Sequence, residues 1–402
     1  MEEKVFTDIL EISSNIIEKS RVELLRESSK EIVKEISFKK NGTFIITGIR
    51  GSGKTTILAE IYKKENNVIF INAESILRFG SSLLDFLHYA YSKEFKVFLI
   101  DEIHVLKNWE KDVKLFYDET KEKIVISGSS AIALKAKGSE LSRRASFYEI
   151  RPFSFREYLI FRTNKKLQKI TIKDIINLKK RKELEKEILP YLKYFNSYLQ
   201  FDALPAAFFE KNKDVYVNLL ERTIRYDLAY LREVDANYIE NVFRAIKFIS
   251  ITPPSELSYS SLAGSLGVGV KLVREIINSL TQTGIIFKIP PHGRGKKAVR
   301  KEEKILMPLS FRSALSDHYK INVSRGSLRE DFFVQHIKEC FYLKTGVSRR
   351  TPDFVVGDYI FEIGGPSKNY KQIKNMENAF IVKEAITAGK KEIPLYLFGL
   401  LY

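Results

Sequence analysis

The chain has 402 residues, with 67 Lys+Arg against 50 Asp+Glu and a formal net charge of +17; a domain takes about 100–200 residues, so several domains are expected. A composition of 44% hydrophobic and 29% charged residues excludes a largely disordered chain. One cysteine, Cys340, and five histidines exclude a disulfide framework and argue against Cys- or His-based metal sites.

In chain order, residues 1–37 carry Ile9, Ile12, Ile16, Val22, Leu25, Ile32 and Ile36 at helical spacing, which predicts helix. The opening Met1-Glu2-Glu3-Lys4 is charged, unlike a signal peptide, and no apolar run approaches the roughly 18–20 residues of a membrane span. A cytoplasmic protein without membrane contact is expected. Short apolar runs at 43–47, 68–71, 97–100 and 124–127 predict buried strands, with helical stretches between them. Such alternation builds a parallel sheet covered on both faces. Residues 155–250 read as helical without a strand. Within them, 162–187 hold ten Lys/Arg and four Asp/Glu, read as a solvated helix face. Pro253-Pro254 marks a boundary. Residues 255–312 read as a small helical unit and a hairpin, followed by a helix over 328–343 and strands at 354–356, 359–363, 379–382 and 395–400.

Gly48-Ile49-Arg50-Gly51-Ser52-Gly53-Lys54-Thr55 fits the pattern G-x-x-x-x-G-K-[ST] between a predicted strand and a predicted helix. Glycines let backbone N–H groups curl around phosphate oxygens, and the helix adds its positive end. The candidate nucleotide-binding residues are Gly48, Arg50, Gly51, Ser52, Gly53, Lys54, Thr55 and Thr56. Lys54 would reach the β- and γ-phosphates of ATP, and Thr55 would offer its hydroxyl to Mg²⁺. Val97–Ile100 then delivers Asp101 and Glu102 to the end of a buried strand, where ligands of such sheets bind. Asp101 is expected to hold Mg²⁺ and Glu102 to polarise the attacking water. His104, close by, reads as structural. Ser129 ends another strand and is a candidate γ-phosphate sensor. Arg143 and Arg144 are candidates for a cation supplied to a neighbouring subunit's nucleotide.

These motifs, with Leu141-Ser142-Arg143-Arg144, Arg151-Pro152-Phe153-Ser154-Phe155-Arg156-Glu157-Tyr158 and Phe201-Asp202-Ala203-Leu204-Pro205, resemble an AAA+ family. It is the archaeal and bacterial ATPase family with a C-terminal domain of unknown function. The resemblance implies a P-loop core, a Leu-Ser-Arg-type finger and a helical lid. A homo-oligomer follows from the finger, with a ring, six-membered as one size, as the expected form.

Ser260–Leu266, a Gly267-Val268-Gly269 turn and an amphipathic stretch to Thr283 predict a helix-turn-helix. Lys271, Arg274 and Asn278 lie off its apolar face. Residues 286–304 then hold seven Lys/Arg and two Glu, including Arg294, Lys296, Lys297 and Arg300. A basic hairpin after a helix-turn-helix resembles a winged helix, and its cations could displace counterions from DNA phosphates.

Thr351-Pro352-Asp353, a hairpin, and Glu362 on an apolar strand resemble the PD-(D/E)XK nuclease core, with Glu330 as an additional acid. That chemistry needs carboxylates for a divalent metal and a lysine for water. Gly364 stands where the lysine belongs; Lys368, four residues on, is the candidate replacement.

The expected fold is multidomain α/β. A P-loop AAA+ core occupies 1–154, a helical lid 155–250, a winged helix 251–326, and a small nuclease-like α/β domain 327–402. The expected function is an ATP-hydrolysing motor that remodels or translocates on duplex or branched DNA, with Holliday-junction branch migration as one form. Two alternatives stand beside it. One is an ATP-gated, metal-dependent nuclease; the other is a nucleotide switch whose winged helix binds a protein.

Overall fold

The structure is a computed structural model. It describes every residue outside 130–139, 232–233, 256, 294–301, 338, 344–351 and 375, and of 230 and 231 the backbone alone. The chain forms two compact units. Unit 1 comprises Met1–Arg151, Glu221–Asp235 and Gln282–Gly284; unit 2 comprises Pro152–Leu220, Ala236–Thr281 and Ile285–Tyr402.

Unit 1 is built on a sheet of β1 (Gly42–Thr47), β2 (Val68–Asn72), β3 (Val97–Asp101), β4 (Lys123–Gly128) and β5 (Ala145–Glu149), in the order β2-β3-β4-β1-β5. All its pairings are parallel. β3 and β4 are buried along their whole length, as a sheet covered on both faces requires. One face packs against Ile57, Leu58 and Ile61 of the helix Lys54–Lys64 and Ile32, Val33 and Ile36 of the helix Glu27–Phe38. The other packs against Phe86, Trp109 and Phe116.

Two details depart from the sequence reading. The N-terminal helix is two helices, Glu3–Lys19 and Glu27–Phe38, separated around Arg26. β5 is an additional edge strand, half-exposed and without strong alternation.

In unit 2, residues 155–220 form a series of helices with no strand, the first two, Phe155–Thr163 and Ile172–Ile176, separated by an irregular stretch. Ser154 caps the helix Phe155–Thr163 in a reciprocal box with Glu157, which gives the Arg-Pro-Phe-Ser segment a local structural role. The stretch 162–187 is not a wholly solvated face, because Arg181 is fully buried. It donates to the carbonyls of Ile175, Gly389 and Lys390. The helices Tyr259–Leu266 and Val270–Gln282 are joined through Gly267 in the left-handed region, followed by the antiparallel hairpin β6 (Phe287–Ile289) and β7 (Lys304–Leu306).

A second sheet runs β12-β11-β10-β9-β8, comprising β8 (Phe341–Tyr342), β9 (Phe354–Val356), β10 (Tyr359–Gly364), β11 (Ala379–Lys383) and β12 (Glu392–Pro394). β8, β9 and β10 pair antiparallel; β10, β11 and β12 pair parallel. The helix expected to reach residue 343 ends at His336, and Phe341–Tyr342 is strand. The strand expected at 395–400 is a tight helical segment, Leu395–Leu400, buried on all sides. A short, uniformly apolar run carries no period to separate these two outcomes. Among the described residues no helix is long and apolar enough to cross a membrane.

Candidate nucleotide site

The phosphate-binding loop leaves β1 and enters the helix Lys54–Lys64, whose first residue is Lys54. Two glycines are physically required there. Gly53 caps the helix at φ +98°, a conformation costly for any side chain. A Cβ at Gly48 would lie 2.3 Å from the Ile150 carbonyl oxygen. Arg26, from the break between the first two helices, steadies the loop by donating to the Ser52 carbonyl at 2.9 Å and the Arg151 carbonyl at 2.7 Å.

Lys54 is 6% exposed and donates to the carbonyls of Gly48 and Ile49 at 3.0 and 3.2 Å. Burial pulls its ammonium below the ordinary value, against the nearby Glu102 and Asp101 charges. Thr55 donates to Asp101 Oδ2 at 2.7 Å, bridging the loop to the end of β3. Ser127, at the end of β4, donates to the other oxygen of Asp101. Burial and the adjacent Glu102 raise Asp101, while these two hydroxyls oppose the shift. A hydroxyl and a carboxylate set oxygen to oxygen beside a phosphate loop are the donor types Mg²⁺ takes, so Thr55 and Asp101 fit that ion.

Glu102 stands just past β3 at φ +53°. Such a backbone is uncommon away from glycine and turns the side chain off the strand direction. Its Oε1 accepts from Arg50 Nη1 at 3.2 Å. Arg50 in turn grips Asp227 with two bonds, Nε to Oδ2 at 2.8 Å and Nη2 to Oδ1 at 2.7 Å. Burial works against the Arg50 charge, but the Asp227 hydrogen bond and the Glu102 and Asp227 charges outweigh it and raise its pKa further. Burial alone would also raise Asp227; His104 and Arg50 hold it below the usual carboxylate value. His104 is 5% exposed, with Nδ1 3.3 Å from Glu102 Oε2 and Nε2 3.5 Å from Asp227 Oδ1.

Ser129 is buried one residue past β4, the strand that separates β1 from β3. Ser127, not Ser129, is the serine that meets Asp101. Arg143 is exposed at the end of the turn Glu140–Arg143. Arg144 instead donates to Asp118 Oδ1 at 2.8 Å within its own chain. Of the DNA-facing candidates, Lys271 and Arg274 are exposed, and Arg274 lies 4.2 Å from the centre of the Tyr259 ring. Asn278 accepts from Lys288 at 2.8 Å. Arg294, Lys296, Lys297 and Arg300 lie outside the described residues.

The C-terminal carboxylates do converge. Lys304 Nζ lies 2.5 Å from Glu330 Oε2 and 3.8 Å from Asp353 Oδ1. Asp353 Oδ2 accepts from the Ile363 N–H at 2.8 Å. Glu362, 1% exposed, pairs with Lys368. A Cβ at Gly364 would lie 2.5 Å from the Lys368 side chain, so the missing side chain there makes room for that lysine. Among the described residues no group of three or more His, Cys, Asp or Glu is disposed to hold a metal ion.

Sequence reasoning missed Arg26, Asp227 and Lys304. All three act through contacts far along the chain, and Asp227 is 177 residues from Arg50.

The parallel α/β sheet of unit 1, with a phosphate-type loop after β1, thus fits the P-loop fold. Residues 40–159 match the family model described as an AAA domain, and residues 192–308 match a domain of unknown function (DUF8612). Uncharacterized protein MJ1637 of Methanocaldococcus jannaschii is 28% identical over 404 residues, covering 90% of this chain and 84% of that protein. MJ1544 of the same organism is 28% identical over 289 residues, covering 67% and 62%. An uncharacterized protein of Haemophilus influenzae is 32% identical over 129 residues, covering 29% and 32%. Among solved structures, an S. cerevisiae Hsp104–ADP complex aligns with a TM-score of 0.31 and 15% identity, over 65% of this chain and 39% of that one. A structure of two coordinating Pif1 helicases unwinding forked double-stranded DNA aligns with a TM-score of 0.24 and 16% identity, over 44% and 52%.

Proposed function

We propose that the chain is an ATP-hydrolysing motor that acts on duplex or branched DNA. The observation that carries the ATPase reading is the Thr55–Asp101 bond between the first turn of the helix Lys54–Lys64 and the end of β3, beside Lys54 and Glu102. Lys54 would turn from the loop carbonyls to the β- and γ-phosphates, exchanging two neutral acceptors for charged ones. Mg²⁺ would offset phosphate charge between Thr55 and Asp101. Glu102 would orient the attacking water, and Ser129 would contact the γ-phosphate from the intervening strand. Arg143, exposed where Arg144 is already paired, is the better candidate to reach a neighbouring subunit's nucleotide. The active form would then be a homo-oligomer.

The DNA reading rests on the helix-turn-helix, the exposed Lys271 and Arg274, and the basic hairpin segment. Cations meeting DNA phosphates predict affinity that falls steeply between about 50 and 200 mM salt. The test is ATPase activity with single-stranded, duplex, forked and four-way DNA, alongside Lys54→Ala and a variant with the hairpin lysines and arginines neutralised. Stimulation by DNA, lost in both variants, supports the motor. Hydrolysis indifferent to every DNA, with affinity indifferent to salt and to the hairpin, refutes it and favours a protein-binding switch.

A second reading attaches to Glu330, Asp353 and Glu362. An ammonium between Glu330 and Asp353 stands where a divalent cation would have to be held. We therefore propose that this centre holds DNA or stabilises unit 2 without cutting. Nicking of DNA with Mg²⁺ or Mn²⁺ that is lost on Asp353→Ala would establish the nuclease instead.

A further inference from the structure

Two carboxylates compete for one guanidinium beside the phosphate loop. Asp227 takes two short, aligned bonds from Arg50, and Glu102 receives one longer bond. A bidentate fork is the stronger and more directional arrangement, so Asp227 decides which way the guanidinium faces. Asp227 is 1% exposed, and its neighbours Ile224 and Leu228 are fully buried. Arg222 of the same segment binds Glu74 Oε1 at 3.0 Å. The segment lies outside the matched AAA domain, yet Glu221–Asp235 belongs to unit 1.

We infer that Asp227 is a positioning residue for hydrolysis: it holds the Arg50 fork so that Glu102 keeps oxygen lone pairs free to accept from the attacking water. Glu102 is already 3.2 Å from Arg50 Nη1. Without Asp227, the fork turns to this carboxylate and takes both of its oxygens. Glu102 is then present but occupied, so hydrolysis slows while the loop still binds nucleotide. Segment 221–235 becomes a control element, because its withdrawal from Arg50 silences the site without touching the phosphate loop itself. This rests on the reading of Glu102 as the water-orienting group.

The experiment uses the full chain and compares wild type, Glu102→Gln, Asp227→Asn and the double variant Arg50→Met/Asp227→Asn. It measures kcat and KM for ATP, and ADP affinity with a fluorescent analogue in the absence of turnover. Asp227→Asn is expected to lower kcat by about 10- to 100-fold, at or below the lower end of the roughly 10²–10⁴-fold that a positioned acid–base group contributes, because Glu102 itself is still present. KM and ADP affinity should stay within about threefold, which separates lost chemistry from lost binding. The double variant should recover at least about fivefold over Asp227→Asn. A merely structural role predicts no such rescue. An inactive Glu102→Gln beside an Asp227→Asn with undiminished kcat, or a double variant no faster than the single, overturns the inference alone. A fully active Glu102→Gln overturns the reading of Glu102 and the inference with it. Where Asp227→Asn does not fold, the double variant carries the test: removing both members of a buried pair is better tolerated than removing one. A kcat below about a twentieth of wild type in that variant then refutes the proposal.

Discussion

Glu330 and Glu362 are each raised from the ordinary 4.5 to about 7. Burial is the main cause, and the shared neighbour Asp353 adds to it; Lys304 opposes the shift at Glu330, and Lys368 at Glu362. A carboxyl with a folded-state pKa above its unfolded value holds its proton more tightly when folded. Its stabilising contribution is complete below about pH 4.5 and is lost as pH rises through 7. For one independent group, that displacement is linked to roughly 3 kcal/mol. The two carboxyls share neighbours, so together they contribute less than twice this. Glu330→Gln keeps the shape and removes one titration. Unit 2 of the wild type is therefore expected to lose roughly 3 kcal/mol between pH 5 and 7.5, and the variant at least about 1 kcal/mol less.

The composition supplies the assay. Cys340, the single cysteine, is buried in unit 2, whereas Trp109, the single tryptophan, is buried in unit 1. Pulsed thiol labelling across a urea series reports unit 2, normalised at each pH to the unfolded chain. Tryptophan fluorescence reports unit 1. Identical pH dependence of the Cys340 midpoint in wild type and Glu330→Gln would refute the reasoning.

Arg312 is fully buried and binds Asp331 as well as the carbonyls of Ile249, Ser250 and Thr252. Arg312→Leu leaves a buried carboxylate uncompensated and should cost about 3–5 kcal/mol in the Cys340 transition. Gly48→Ala forces a methyl against the Ile150 carbonyl and should destabilise unit 1 by about 1–3 kcal/mol, read by Trp109 fluorescence, with weaker ADP binding. Arg143→Ala should lower ATP hydrolysis by at least about 100-fold while leaving ADP affinity unchanged. Arg144→Ala should fall within about threefold of wild type, since it breaks a surface pair with Asp118.

The candidate site's geometry was legible where chemistry and chain are contiguous. The phosphate loop and the Asp101-Glu102 strand end are each read within eight residues, because one backbone segment supplies the whole device. The helices Tyr259–Leu266 and Val270–Gln282 were legible for a similar reason: their apolar period and Gly267 are local. β5 was not. It is a half-exposed edge whose pairing with β1 supplies what its own pattern lacks. Leu395–Leu400 was misread because burial on every side erases periodicity. The partners of Arg50 and Arg26 were invisible because a buried cation's acceptor is chosen by the fold, not by spacing. His104 read as structural, and it lies between the two carboxylates that contend for Arg50.

Unit 1 is discontinuous in the chain, and this has a consequence for its synthesis. β5 and Arg151 complete the sheet, but Asp227 emerges from the ribosome only later. At about 5–20 residues per second, the delay is several seconds or more. During that time the nascent sheet carries the Arg50 cation without its strongest partner, beside Glu102. A truncation that keeps only residues 40–159, the span of the AAA match, would make this interim state permanent. Expression of unit 1 on its own should therefore require the 221–235 segment, supplied in the same chain or as a separate peptide.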